Sequence, residues 1–109
     1  MTEKQQKAYN LIGIAKKAGK IIAGTEMVVE SIRAKKKAVK AVFISCDASE
    51  NTLKRITNTS DYYKIPAFKT VFDKLELGRI TGASGERSVI GVTDEGLAKA
   101  IISNISEEI

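Results

Sequence analysis

Apolar positions along the chain change period several times, and each change marks an element. Ala8, Leu11, Ile12 and Ala15 recur at helical spacing, Lys16 and Lys17 follow, and Gly19 suits the position that closes a helix. Residues 21–23 form a short apolar run ending at Gly24. Thr25 then has the chemistry of an N-cap for a second helix, which should turn Val28, Ser31 and Ile32 inward. Residues 41–45 are continuously apolar up to a terminal serine, the pattern of a strand buried on both faces, so helices are expected above and below it. Asp47 or Ser49 can cap a third helix carrying Leu53, Ile56, Thr57 and Ser60, which Ile65 and Pro66 bring to an exit.

Ala67, Phe68 and Lys69 can make a third strand, and Thr70 with Asp73 has the spacing of a capping box for a short helix through Leu75 to about Gly78. Residues 82–87 have turn chemistry without periodicity and form a loop. Residues 88–92 give a fourth strand, and Asp94 caps a last helix with Leu97, Ala98, Ile101, Ile102 and Ile105 on one face. The alternation of helix and strand predicts an α/β protein, a three-layer α/β/α sandwich around a small four-stranded sheet. Strand order is not readable from the pattern, and a mixed sheet is expected beside the parallel alternative.

At 109 residues the chain has the length of one domain. Its apolar runs are too short to span a bilayer, and a signal-peptide core is absent from its polar N-terminus, so a cytoplasmic protein is expected. Cys46 is the sole cysteine, which rules out an internal disulfide, and its place after an apolar run suggests a small buried filler. With no histidine and no cysteine cluster, the usual ligands of zinc and the usual catalytic bases are missing, so neither metal, cofactor nor enzymatic activity is expected.

Charge adds a direction. Residues 1–55 carry 12 Lys/Arg against 5 Asp/Glu, whereas residues 56–109 carry 6 against 8. A basic half of this kind is the footprint of a polyanion partner. Three segments could meet one. Gly24, Thr25 and Glu26 open a helix whose first N–H groups favour anions, with Lys20 shortly upstream. Arg33, Lys35, Lys36, Lys37 and Lys40 exceed what capping a helix C-terminus requires and could track a phosphate backbone. The loop at residues 82–88 has two glycines that let its backbone approach a ligand, although no Gly-Lys-Ser/Thr follows and a nucleotide-binding P-loop is excluded. Tyr9, Tyr62 and Tyr63 could stack on bases or simply pack.

These features occur in a recognisable order: Ala18-Gly19-Lys20-Ile21-Ile22-Ala23-Gly24-Thr25 opening a helix, Ala41-Val42-Phe43-Ile44-Ser45, then Asp47-Ala48-Ser49-Glu50-Asn51-Thr52. Tyr63-Lys64-Ile65-Pro66, Leu77-Gly78-Arg79 and Ser88-Val89-Ile90 complete the series. Over nearly its whole length the chain resembles the ribosomal kink-turn RNA-binding proteins, the L7Ae/L30e-like family, and within it the bacterial YlxQ-type members. The resemblance implies a single RNA-binding domain over residues 1–109, non-catalytic and associated with ribosomes or translation. Its partner would be a sharply bent RNA helix with tandem sheared G·A pairs, whose exposed major groove receives the first turn of the second helix, while the loop before the last strand covers a flipped-out nucleotide.

Carried onto this chain, Gly24 and Thr25 match the helix-opening pair and Lys20 a basic position before it. The covering loop falls on Gly85, Glu86, Arg87 and Ser88. RNA-binding relatives carry Asn at the position of Glu26, an acid at Met27 and Lys at Glu30, so this chain departs from them at three places. Carboxylates cannot donate to guanine O6, though they can accept from guanine N1–H or N2–H. The expectation is RNA binding that is more salt-sensitive and less motif-specific than in relatives with the full pattern. The alternative is a protein-interaction module on the same fold.

Overall fold

The computed structural model describes residues 1–35 and 38–105. In chain order the elements are α1 (Glu3–Lys17), β1 (Ile21–Ala23), α2 (Thr25–Ala34), β2 (Ala41–Ile44), α3 (Glu50–Tyr62), β3 (Ala67–Lys69), α4 (Lys74–Ile80), β4 (Val89–Val92) and α5 (Glu95–Ser103). The strands form one mixed sheet in the order β1-β4-β2-β3, with β4 antiparallel to both neighbours and β2 parallel to β3.

The two central strands, β2 and β4, are buried at every position, as a strand covered on both faces must be. Side-chain alternation divides their residues between two cores. Ala41, Phe43, Ile90 and Val92 join Ala8, Ile12, Leu77 and Ile101 beneath α1, α4 and α5, whereas Val42, Ile44 and Val89 join Val28, Ile32 and Ile56 beneath α2 and α3. The chain is therefore the three-layer sandwich expected from its periodicity.

Several local expectations are corrected. The N-cap of α2 is Gly24, at φ 105°, and Thr25 makes no cap because it is already the first helical residue. On that helix Val29 is buried and Ser31 only half-buried, which rotates the inward face by part of a turn. Ser49, not Asp47, caps α3 by accepting from the Thr52 N–H at 3.2 Å. Asp47 instead accepts from the Lys74 N–H at 2.9 Å.

Thr70 does not open α4. Its buried hydroxyl donates to the Ile44 carbonyl at 2.9 Å and accepts from the Phe72 N–H at 3.2 Å, shaping the turn after β3. The capping box lies three residues later. Asp73 accepts from the Glu76 N–H at 2.7 Å while Glu76 accepts from the Asp73 N–H at 2.9 Å, and the helix runs past Gly78 to Ile80. Cys46 is exposed and fills no core, because the chain leaves the buried layer one residue after β2, at Ser45.

Candidate nucleic-acid interface

The sequence between β1 and α2 needs a sharp turn, and Gly24 supplies it in a region of φ that other residues rarely adopt. Its N–H donates to the Val89 carbonyl at 2.8 Å and its carbonyl accepts from the Val28 N–H at 3.0 Å, so both strand and helix fix the turn. With no side chain at the N-cap, the first-turn N–H groups of α2 point outward at the positive end of the helix dipole.

The loop before β4 lies beside this turn. It is held at one end where the Arg87 N–H donates to the Lys74 carbonyl at 3.0 Å, and at the other where the Ala83 N–H donates to the Gly78 carbonyl at 2.9 Å. Gly78 lets the loop lie directly on α4: a Cβ there would overlap the Gly85 carbonyl oxygen and stand 3.2 Å from the Glu86 Cα. So anchored, the loop lays Arg87 over Gly24, within 3.8 Å of where a Gly24 Cβ would be. The Arg87 guanidinium also donates to the Glu86 carbonyl at 2.8 Å.

The result is an open groove of about 370 Å³ lined by Ala23, Gly24, Thr25, Glu26, Met27, Glu86, Arg87 and Ser88. Residues some sixty positions apart in sequence thus share one surface. Met27 is 56% exposed there, an apolar side chain with no core to fill. Gly85 is turned onto α4 rather than into the groove.

Other candidates sit elsewhere. Lys20 flanks the opposite end of β1, where its carbonyl accepts from the Thr93 N–H at 2.9 Å. Four extended residue steps put its backbone about 13 Å from Gly24. Lys35 takes a left-handed conformation at the C-terminus of α2, φ 53°. The ten residues of that helix separate it from the groove by roughly 15 Å. Lys36 and Lys37 lie outside the described residues. Arg33 and Glu30 line a second groove of about 430 Å³ between α2 and α3, together with Glu26 and Arg55.

Glu26 borders both grooves. Arg55 reaches it from α3 with both guanidinium Nη atoms on both carboxylate oxygens, a fork-on-fork ion pair whose second contact measures 3.2 Å. The Arg55 hydrogen bonds hold the Glu26 carboxyl below its ordinary value of 4.5, with further help from Arg55's charge and from Arg33. Sequence reading missed Arg55. It lies 29 residues away on another helix, and only the packing register of α2 on α3 brings it in.

The tyrosines divide by surroundings. Tyr9 is structural: its hydroxyl donates to the Glu76 carbonyl at 3.0 Å, its ring lies 5.2 Å from that of Phe72, and burial pushes its pKa up. Tyr63 packs on the α2/α3 core, while Tyr62, against it edge-to-face, is 80% exposed. Among the described residues no group of acidic, histidine or cysteine side chains could hold a metal ion, and no helix is long and apolar enough to cross a membrane.

Known proteins share this architecture. The model of the Ribosomal protein L7Ae/L30e/S12e/Gadd45 family matches residues 6–102. The RNA-binding protein YlxQ of Enterococcus faecium is 44% identical over 95 residues, covering 87% of each chain. The RNA-binding protein YlxQ of Bacillus subtilis (strain 168) is 39% identical over 95 residues, 87% of this chain and 91% of its own. Among solved structures, a Bacillus halodurans C protein of unknown function superposes with a TM-score of 0.82 at 33% identity, over 92% of this chain and 97% of its own. A Giardia lamblia 15.5kD RNA binding protein shares the fold at TM-score 0.76 and 16% identity, over 98% of this chain and 89% of its own.

Proposed function

Because the chain belongs to the Ribosomal protein L7Ae/L30e/S12e/Gadd45 family and is not an enzyme, we propose that it is a single cytoplasmic domain that binds structured RNA. The preferred ligand in this reading is a kink-turn or a ribosomal RNA element like it, in the setting of translation. The observation that carries the reading is the groove itself. An uncapped helix N-terminus offers N–H donors, Arg87 adds a guanidinium over Gly24, and the loop backbone at Glu86–Ser88 forms the facing wall. Donors of this kind suit RNA phosphates and guanine edges in a distorted helix.

Binding would stabilise the bent form of the RNA by selecting it from the straight one. Cations outside the groove, Arg33, Lys35 and Lys20 among them, would supply affinity that weakens with salt. The test is a titration against a kink-turn RNA and a control in which its G·A pairs are replaced, each at two salt concentrations. A preference for the kink-turn supports the specific reading, equal and salt-sensitive binding reduces it to generic RNA affinity, and binding to neither overturns it.

Exposed Met27 and the acids Glu26 and Glu86 favour a second reading, a protein-interaction surface on the same groove. Recovery of one protein partner after ribonuclease treatment, with no affinity for either RNA, would support that alternative.

A further inference from the structure

Of the three charged side chains lining the groove, Glu26 and Glu86 are acids and only Arg87 is a cation. Left so, the surface would repel the phosphates that any RNA brings to it. The fork-on-fork pair with Arg55 neutralises one of the two acids, leaving Glu86 balanced by Arg87, and it does so from outside the groove, since Arg55 lines the second groove between α2 and α3 and not this one. The pair is open to solvent, with the Arg55 and Glu26 side chains 42% and 78% exposed. Exposed ion pairs contribute little to stability, so holding the fold together does not account for it.

We infer that Arg55 on α3 is the positioning residue that makes this groove compatible with RNA, by neutralising the Glu26 carboxylate that would otherwise repel phosphates. The inference rests on the RNA-binding reading and deepens it. With Arg55 forked onto both carboxylate oxygens, the first turn of α2 presents its backbone donors without an uncompensated negative charge beside them.

The experiment is a double-mutant cycle with Arg55→Met, Glu26→Gln and the combination, each titrated with a fluorescein-labelled kink-turn hairpin RNA. Arg55→Met leaves Glu26 unpaired and should weaken binding roughly five- to tenfold, a deficit that shrinks at high salt. Glu26→Gln alone should bind at least as well as the wild type. The double variant should recover most of what Arg55→Met loses, because the repelling charge is gone.

Two results overturn the inference while leaving RNA binding intact: losses that simply add, which would make Arg55 an independent phosphate contact, or no loss in Arg55→Met. A wild-type protein that fails to bind the hairpin would overturn the RNA reading as well. Thermal melts of the three variants, expected to match the wild type, separate these outcomes from misfolding.

Discussion

Gly78→Ala is the substitution whose outcome the geometry constrains most tightly. In an ordinary helix interior this change gains about 0.8–1 kcal/mol, because alanine restricts the unfolded chain and suits the helix better. Here the new methyl group would overlap the Gly85 carbonyl oxygen and stand 3.0 Å from the Gly85 carbonyl carbon. The obstacle is backbone, so no side-chain rotation relieves it, and the loop must lift off α4. Overpacking of this kind costs roughly 1–3 kcal/mol, and the lost Ala83 N–H to Gly78 carbonyl bond adds about 1 kcal/mol. Set against the helix gain, the net expectation is destabilisation of roughly 1–3 kcal/mol, a fall in Tm of about 4 °C or more for a chain of this length.

The same movement shifts the backbone that carries Arg87 over Gly24, so RNA affinity should fall further than stability alone requires. Differential scanning calorimetry and titration of the variant, both below its Tm, read the two effects separately. An unchanged or raised Tm with unchanged RNA affinity would refute the claim that close packing of the loop on α4 builds the groove.

Other predictions concern single contacts. Asp73→Ala should cost about 1 kcal/mol by removing a helix cap, whereas Thr25→Ala should leave urea unfolding almost unchanged because Thr25 caps nothing. The Glu26 carboxyl, followed by NMR, should titrate below the ordinary glutamate range, and Arg55→Met should return it there. Because its folded-state value is lowered, the pair's small contribution to stability is present above the ordinary value of 4.5 and disappears as pH falls through the folded one. Arg87→Ala should weaken RNA binding and reduce the slope of log affinity against log salt by about one phosphate contact.

The sandwich was legible in the sequence because its signals are periodic. Four-residue buried strands such as β2 and the 3.6-residue spacing of α1 leave little freedom, and Asp94, Gly19 and Pro66 punctuate them as expected. Cap positions were less legible where two polar residues compete: Thr70 and Asp73 both precede α4, and the choice depends on Thr70 being drawn to the Ile44 carbonyl across the turn. Of the site, the Gly24 turn and the loop at residues 85–88 could be picked out, and the fold brings Glu86–Ser88 against the α2 N-terminus. Lys20 and Lys35 could not be excluded from that groove without knowing that β1 and α2 hold them at their far ends. Arg55 carries no local signature, and Gly78 reads locally only as the end of a short helix, since each matters through a contact with a distant element.

The most direct test of the central claim is amide chemical-shift mapping of the isotope-labelled protein during addition of a kink-turn RNA. The account predicts the largest changes at Gly24–Met27 and at Glu86–Ser88, with smaller ones at Arg33 and Arg55. Changes concentrated on α1 and α5, with those two segments silent, would contradict it.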